Sequence, residues 1–249
     1  DNISSLLDFD ELKMYFGEDT IINDYIKIHI PTVGEIVEYG EREYYSMIFS
    51  LTAIPSDMKS QLFDMGIDYE EISDFELFYL LTRDLTQDKT QLLFYDLDLS
   101  KMQLFNDNSN DKLFMFEQES NKVLDELAYL KIAACLRKLH NIKPKVEKAA
   151  NKTTKDILIQ LDRDRIARQK KEGYKSNLKP LISAMMRYPG FKYKSNELKQ
   201  CSLYEFMDTV QGSQIYVHSV SLLQGSYSGM IDTSKINKKE FNWLRGADE

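Results

Sequence analysis

Tyr25-Ile-Lys-Ile-His-Ile-Pro-Thr-Val-Gly-Glu35 decides the fold class, because it changes period in the middle. Ile26, Ile28 and Ile30 point one way while Lys27 and His29 point the other, the two-residue alternation of a half-buried strand. Pro31 ends that strand. Thr32 and Glu35 then stand three apart as a capping box, so a helix is predicted to start here and run to about residue 53, before Pro55. A strand feeding a helix, in a chain whose other segments mostly carry helical spacing, predicts an α+β fold. It should be predominantly helical, with a small N-terminal sheet or hairpin region and a helical C-terminal half.

On the N-terminal side, Leu12, Met14 and Phe16 alternate with Lys13 and Tyr15, and Gly17, Glu18 and Asp19 supply a turn before Thr20. A hairpin is predicted there. Downstream, Ser56 is expected to cap a short helix that ends at Gly66, and Ser73 with Glu76 to open another through about Arg83. Residues 91–116 read as two or three short strands around the polar loop 106–111. From 121 to 140 a helix is predicted whose buried stripe is Val123, Leu127, Leu130 and Ala134. Further helices are expected at about 154–171, with apolar Ile157, Leu158, Leu161 and Ile166 concentrated in its first half, and at 178–187 before Pro189 and Gly190. Ser202 and Glu205 should cap a last helix with Leu203, Phe206, Met207, Val210, Val217 and Val220 inward and Gly212 as a weak point.

Charge is segregated along the chain. Residues 1–141 hold 12 Lys and Arg against 28 Asp and Glu, about −16, whereas 142–200 hold 16 against 6, about +10. The sequence therefore divides into an acidic mixed α/β region, 1–141, and a basic-to-neutral helical region, 142–249; the alternative is a single continuous domain. Segregated charge points to macromolecular contact or internal docking more than to small-molecule chemistry. With 43% hydrophobic residues the chain has material for a substantial core. No apolar run approaches the roughly 18–20 residues needed to cross a bilayer, and the first residues lack the pattern of a secretion signal. Cys135 and Cys201 are expected as reduced thiols.

No motif announces catalysis. His29, His140, His218, Cys135 and Cys201 include no pair at metal-ligand spacing. Asp96 and Asp98 are expected on the wet face of a strand, with Leu97 and Leu99 opposite. Asp107, Ser109 and Asp111 imitate a calcium loop, but Lys112 and Gln118 stand where its glycine and bidentate glutamate belong. Gly225 to Gly229 carries Tyr227 where a nucleophile elbow needs serine, and is expected to be a loop. Glu38, Glu41 and Glu43 are expected on a solvated face. No cofactor or metal is expected. The candidate partner-binding residues are Arg163, Arg168, Lys171 and Lys175 on the basic helix, with Asp164 expected to pair with Arg168, and Phe241 with Trp243 near the tail.

The runs Pro31-Thr-Val-Gly-Glu-Ile-Val-Glu-Tyr-Gly-Glu41, Tyr44-Tyr45-Ser46-Met47 and Ala53-Ile-Pro-Ser-Asp-Met-Lys-Ser-Gln-Leu62 carry a resemblance. So does the ending Gly225-Ser-Tyr-Ser-Gly-Met-Ile-Asp-Thr-Ser-Lys-Ile-Asn-Lys-Lys239 with Asn242-Trp243-Leu244. The chain resembles tail-region proteins of bacteriophages and prophages of Gram-positive bacteria, among them tail assembly chaperones. The resemblance implies a non-enzymatic protein, in the cytoplasm of the bacterial host, that binds the tape-measure and tail-tube proteins during assembly. The alternatives are a structural component of the tail, neck or baseplate, which would place it in the virion, and a nucleic-acid-binding module using the basic helix. No site residue is implied by the resemblance.

Overall fold

A computed structural model describes residues 7–107 and 112–246 of the 249-residue chain. It is 58% helix with two small antiparallel sheets, the α+β class that the sequence predicts.

The first departure lies at the N-terminus, where the alternation of Leu12, Met14 and Phe16 belongs to a helix, α1 (Glu11–Tyr15). Asp10 caps it by accepting the Lys13 N–H at 3.2 Å, and Met14 is buried while Leu12 and Phe16 are exposed. The hairpin is made one segment later, by β1 (Thr20–Ile21) and β2 (Lys27–Ile28), antiparallel with Thr20 opposite Ile28. Ile26, Ile28 and Ile30 are all buried as their alternation requires. Thr32 and Glu35 form a complete capping box on α2 (Val33–Tyr39). The single helix expected here is two: Gly40 adopts φ +105, a conformation that a Cβ disfavours, and the chain turns into α3 (Glu41–Thr52).

A 3-10 turn (Pro55–Asp57) leads to α4 (Lys59–Asp64), whose chain reverses at Gly66, φ +76. Ser56 does not cap this helix; its hydroxyl accepts the Glu147 N–H at 2.9 Å. Ser73 and Glu76 box α5 (Asp74–Thr82) as expected. Residues expected as the first strand of the middle region are instead α6 (Gln87–Phe94), and Asp98 caps a 3-10 turn (Leu99–Lys101) in place of sitting on a strand. The sheet follows as β3 (Gln103–Asp107), β4 (Lys112–Glu117) and β5 (Lys122–Asp125), all antiparallel. Residues 108–111, including most of the calcium-loop mimic, lie outside the described residues.

Met115 and Leu124 pair across the sheet, both fully buried, against α7 (Glu126–Leu139), the central helix. Asp125 caps α7, so the stretch expected as its first turn is strand. The buried face is therefore Ala128, Tyr129, Ile132, Ala133, Leu136 and Leu139, and the expected stripe of Val123, Leu127, Leu130 and Ala134 lies on the more accessible side. A long helix, α8 (Lys152–Glu172), crosses the acidic region, followed by α9 (Leu178–Arg187), α10 (Ser195–Gln200) and α11 (Leu203–Tyr227).

Ser202 caps α11 by accepting the Glu205 N–H and donates its hydroxyl to Tyr15 O. It also bridges to Thr32, so the caps of α2 and α11 sit side by side, with Val33 N–H on Cys201 O and Leu203 N–H on Pro31 O. Gly212 does not interrupt α11, and Gly225 lies within it, not in a loop. After Val210 the helix buries only Ser219 among its described residues, and Val217 is exposed. One hydrophobic cluster runs from Met14 to Val210 and draws on both charge regions.

Candidate partner-binding surface

The basic helix α8 lies where charge segregation is resolved. Its docked face carries Lys155, Ile159, Asp162 and Arg163, spaced four, three and one apart, so they converge on one side of the helix. Ile159 joins Leu62, Tyr69 and Leu77 in a second, smaller apolar cluster. Lys155 Nζ contacts Asp68 Oδ1 and Oδ2 at 2.5 and 2.6 Å and Glu70 Oε2 at 2.8 Å, and stands 5.2 Å from the Tyr69 ring centre. Burial opposes its charge, but these two carboxylates raise its pKa above the ordinary lysine value. Arg163 bonds Asp64 and lies over the Phe63 ring.

Asp162 is buried at 3% exposure on this face. Its Oδ2 accepts the Ser60 N–H at 3.0 Å and hydroxyl at 2.7 Å, and Oδ1 accepts Arg165 Nη2 at 2.5 Å. Burial pushes the Asp162 pKa up, and Ser60 with Arg165 more than reverse that, leaving it below the ordinary aspartate value. Beside it, Lys59 is buried and donates to Glu147 Oε2 at 2.8 Å and Ser56 O at 2.5 Å. Lys145 and then Lys59 bring the Glu147 carboxyl down to about 2. These groups, with Leu158 and Leu161, line a cavity of about 360 Å³.

The expected site residues separate on this frame. Arg163 is turned inward onto Asp64. Arg168 and Lys171 are exposed, and Arg168 Nε donates to the backbone O of Asp164 at 3.3 Å, while the Asp164 carboxylate takes the Gln160 amide at 3.0 Å. The expected Asp164–Arg168 pairing is thus through backbone only. Lys175 does not extend the face, because α8 ends at Gly173 with φ +71; its ammonium reaches Glu172 at 2.7 Å.

Phe241 and Trp243 lie far along the chain on a tail that folds back onto α11. Trp243 stacks edge-on against Tyr216 with ring centres 5.8 Å apart and is half exposed. The Glu240 carboxylate holds this tail, taking His218 Nε2 at 3.0 Å and Arg245 Nη2 at 2.9 Å, and Ser219 donates to Glu240 O at 2.7 Å. Phe241 closes the 3-10 turn (Lys238–Phe241) and is partly buried.

Three arrangements had no clear signal in the sequence. Glu41, expected on a solvated face, accepts the N–H groups of Asn177 and Leu178 at 2.7 and 2.8 Å and so receives the start of α9. His29 places Nδ1 3.1 Å from Asp19 and Nε2 3.2 Å from Glu35, and the Tyr95 hydroxyl donates to Asp19 at 2.9 Å. Tyr95 sits at φ +60, ψ −76 with the Asp96 N–H on Phe94 O, a tight three-residue turn. His140 accepts at Nε2 from the Tyr44 hydroxyl, 2.9 Å, and donates from Nδ1 to Leu136 O, 2.8 Å. Burial lowers the His140 pKa to about 4, which keeps it neutral at pH 7.

Both cysteines are buried free thiols. Among the described residues no group of three or more His, Cys, Asp or Glu side chains is placed to hold a metal ion, and no helix is long and apolar enough to cross a membrane. Comparison with family models, curated proteins and solved structures found no match to the chain.

Proposed function

We propose that this chain is a phage tail morphogenesis factor that works by binding protein, acting as an assembly chaperone for tape-measure and tail-tube proteins in the cytoplasm of the bacterial host. The sequence resemblance at both ends of the chain supplies the phage context. The observation that carries the binding role is the placement of α8. One face is held on the acidic region by Lys155, Ile159, Asp162 and Arg163, while Ile157, Leu161, Arg168 and Lys171 are presented to solvent. A helix fixed on one side and left open on the other can receive a partner without reorganising its own backbone.

A nucleic-acid role is less favoured by this arrangement, since Arg163 and Lys175 are engaged by Asp64 and Glu172 and no aromatic side chain stands on α8 to stack a base. The test is quantitative mass spectrometry of this protein in producing-cell lysate and in purified particles. A chaperone should be abundant in lysate and missing from particles. Stoichiometric retention in particles would replace this reading with that of a virion component.

A further inference from the structure

Ile157, Leu161, Asp164, Arg168 and Lys171 follow one another at intervals of four, three, four and three residues, the spacing of a coiled-coil seam. Ile157 and Asp164 stand two or five residues from the docked Ile159 and Asp162 and so point roughly the opposite way, Arg168 and Lys171 continue that side, and Leu161 lies at its edge, bordering the same cavity as Asp162. Ile157 is 54% and Leu161 57% exposed, and Asp164, Arg168 and Lys171 are exposed as well. The outer seam therefore reads apolar over its first half and mainly cationic over its second. Leu158 and Leu161 also border the 360 Å³ cavity, so a side chain laid over this end has a recess beside it.

The inner face shows what chemistry this helix accepts. There an apolar residue, Ile159, is covered by Leu62 and Tyr69, and the cations Lys155 and Arg163 are met by Asp68, Glu70 and Asp64. The outer seam has the same two ingredients and no such cover from the described residues.

We infer that the outer face of α8 is a docking seam for an amphipathic helix of another protein, apolar where it crosses Ile157 and Leu161 and acidic where it crosses Arg168 and Lys171. This inference rests on the protein-binding reading above and names the surface and the partner's chemistry. Leucine-type side chains on the partner would cover Ile157 and Leu161, and glutamates at the following seam positions would pair with Arg168 and Lys171. Asp164, in the middle, would disfavour an acidic residue directly opposite and so fix the register of the two helices.

The probe is a designed helical peptide of about 20 residues, with leucine at the seam positions of one half and glutamate in the other. A control peptide carries lysine in place of glutamate. Titration of the labelled peptides into the full chain, followed by fluorescence anisotropy, should show the glutamate peptide binding roughly tenfold or more tightly than the lysine peptide, with weakening by salt. The double variant R168E/K171E should invert that preference, and Leu161→Asp should weaken both peptides; circular dichroism verifies that each variant keeps its helix content. Equal affinity for the two peptides, no binding of the glutamate peptide at about 1 mM, or an unchanged preference in R168E/K171E would each overturn the seam. The lysate-and-particle measurement is independent of these titrations, so the seam can fail while the assembly role stands.

Discussion

Asp162 shows how a single residue ties the basic helix to the acidic region. Its carboxylate serves two donors from Ser60 and one guanidinium from Arg165, all within 3.2 Å. Removing it leaves the buried Ser60 N–H without an acceptor and the hydroxyl with Gln61 Oε1 alone, at 3.2 Å. Asp162→Ala is expected to cost about 2–4 kcal/mol in urea denaturation, less than for a fully buried pair because Arg165 is half exposed. A loss below about 0.5 kcal/mol would show that Asp162 does not hold the helix.

The pH dependence comes from His140 and Glu147. Folding lowers the His140 pKa from about 6.5 to about 4, so the unfolded chain binds the extra proton first. Its contribution is complete above about pH 6.5 and is lost as pH falls toward about 4, amounting to about 3 to 3.5 kcal/mol. Glu147, lowered to about 2, gives up its contribution further down, from about pH 4.5 to about 2. Melting temperature should therefore begin to fall already between pH 6.5 and 4. A plateau down to pH 4 would mean that the Tyr44–His140 pair is not closed as described.

At the scale of elements, α2 and α10 meet so closely that Gly34 has no room for a side chain. A Cβ there would lie 2.6 Å from the Lys199 carbonyl oxygen, which is backbone and cannot swing away. Replacing a helical glycine by alanine ordinarily stabilises by up to about 1 kcal/mol. Gly34→Ala should instead destabilise by about 1–3 kcal/mol, a reversal of sign that thermal unfolding will read directly. Gain of stability would mean that the two helices stand further apart.

How far these elements were legible follows from how local their causes are. Thr32 with Glu35 and Ser73 with Glu76 specify helix starts through bonds within four residues, and both boxes are present. Leu178–Arg187 is bounded by Pro189 and was legible for the same reason. By contrast Leu12, Met14 and Phe16 alternate like a strand, yet Asp10 starts a helix there and the core takes Met14 alone. The inward face of α7 was misplaced because its phase depends on where β5 ends, at Asp125, and that boundary is set by pairing with β4. For the binding surface, the exposed Arg168 and Lys171 were legible from charge. The inward turn of Arg163 and the burial of Asp162 were not, because their partners Asp64 and Ser60 lie about a hundred residues away in sequence.

Over the whole molecule, stability is graded. The cluster around α7 is closed by α3, α5 and the three-stranded sheet, whereas residues 167–172 of α8 are exposed and α11 beyond Val210 buries only Ser219 among its described residues. Amide hydrogen exchange should accordingly be slowest in α7 and fast in the last two turns of α8, with the end of α11 intermediate while its tail stays docked. Uniform protection along α8 would contradict the one-sided attachment. Added salt should speed exchange in α8 more than in α7, since α8 is held largely through charge pairs near the surface, whereas α7 is held mainly by its buried apolar face.

The tail contact on α11 gives the protein its own optical reporter. Trp243 is the single tryptophan of the chain, and it sits against Tyr216 on a segment separate from the main core. Its emission therefore follows lifting of the tail and not melting of the centre. Recorded beside the far-ultraviolet helix signal during denaturation, it would show the C-terminal end coming loose at a lower denaturant concentration than the body.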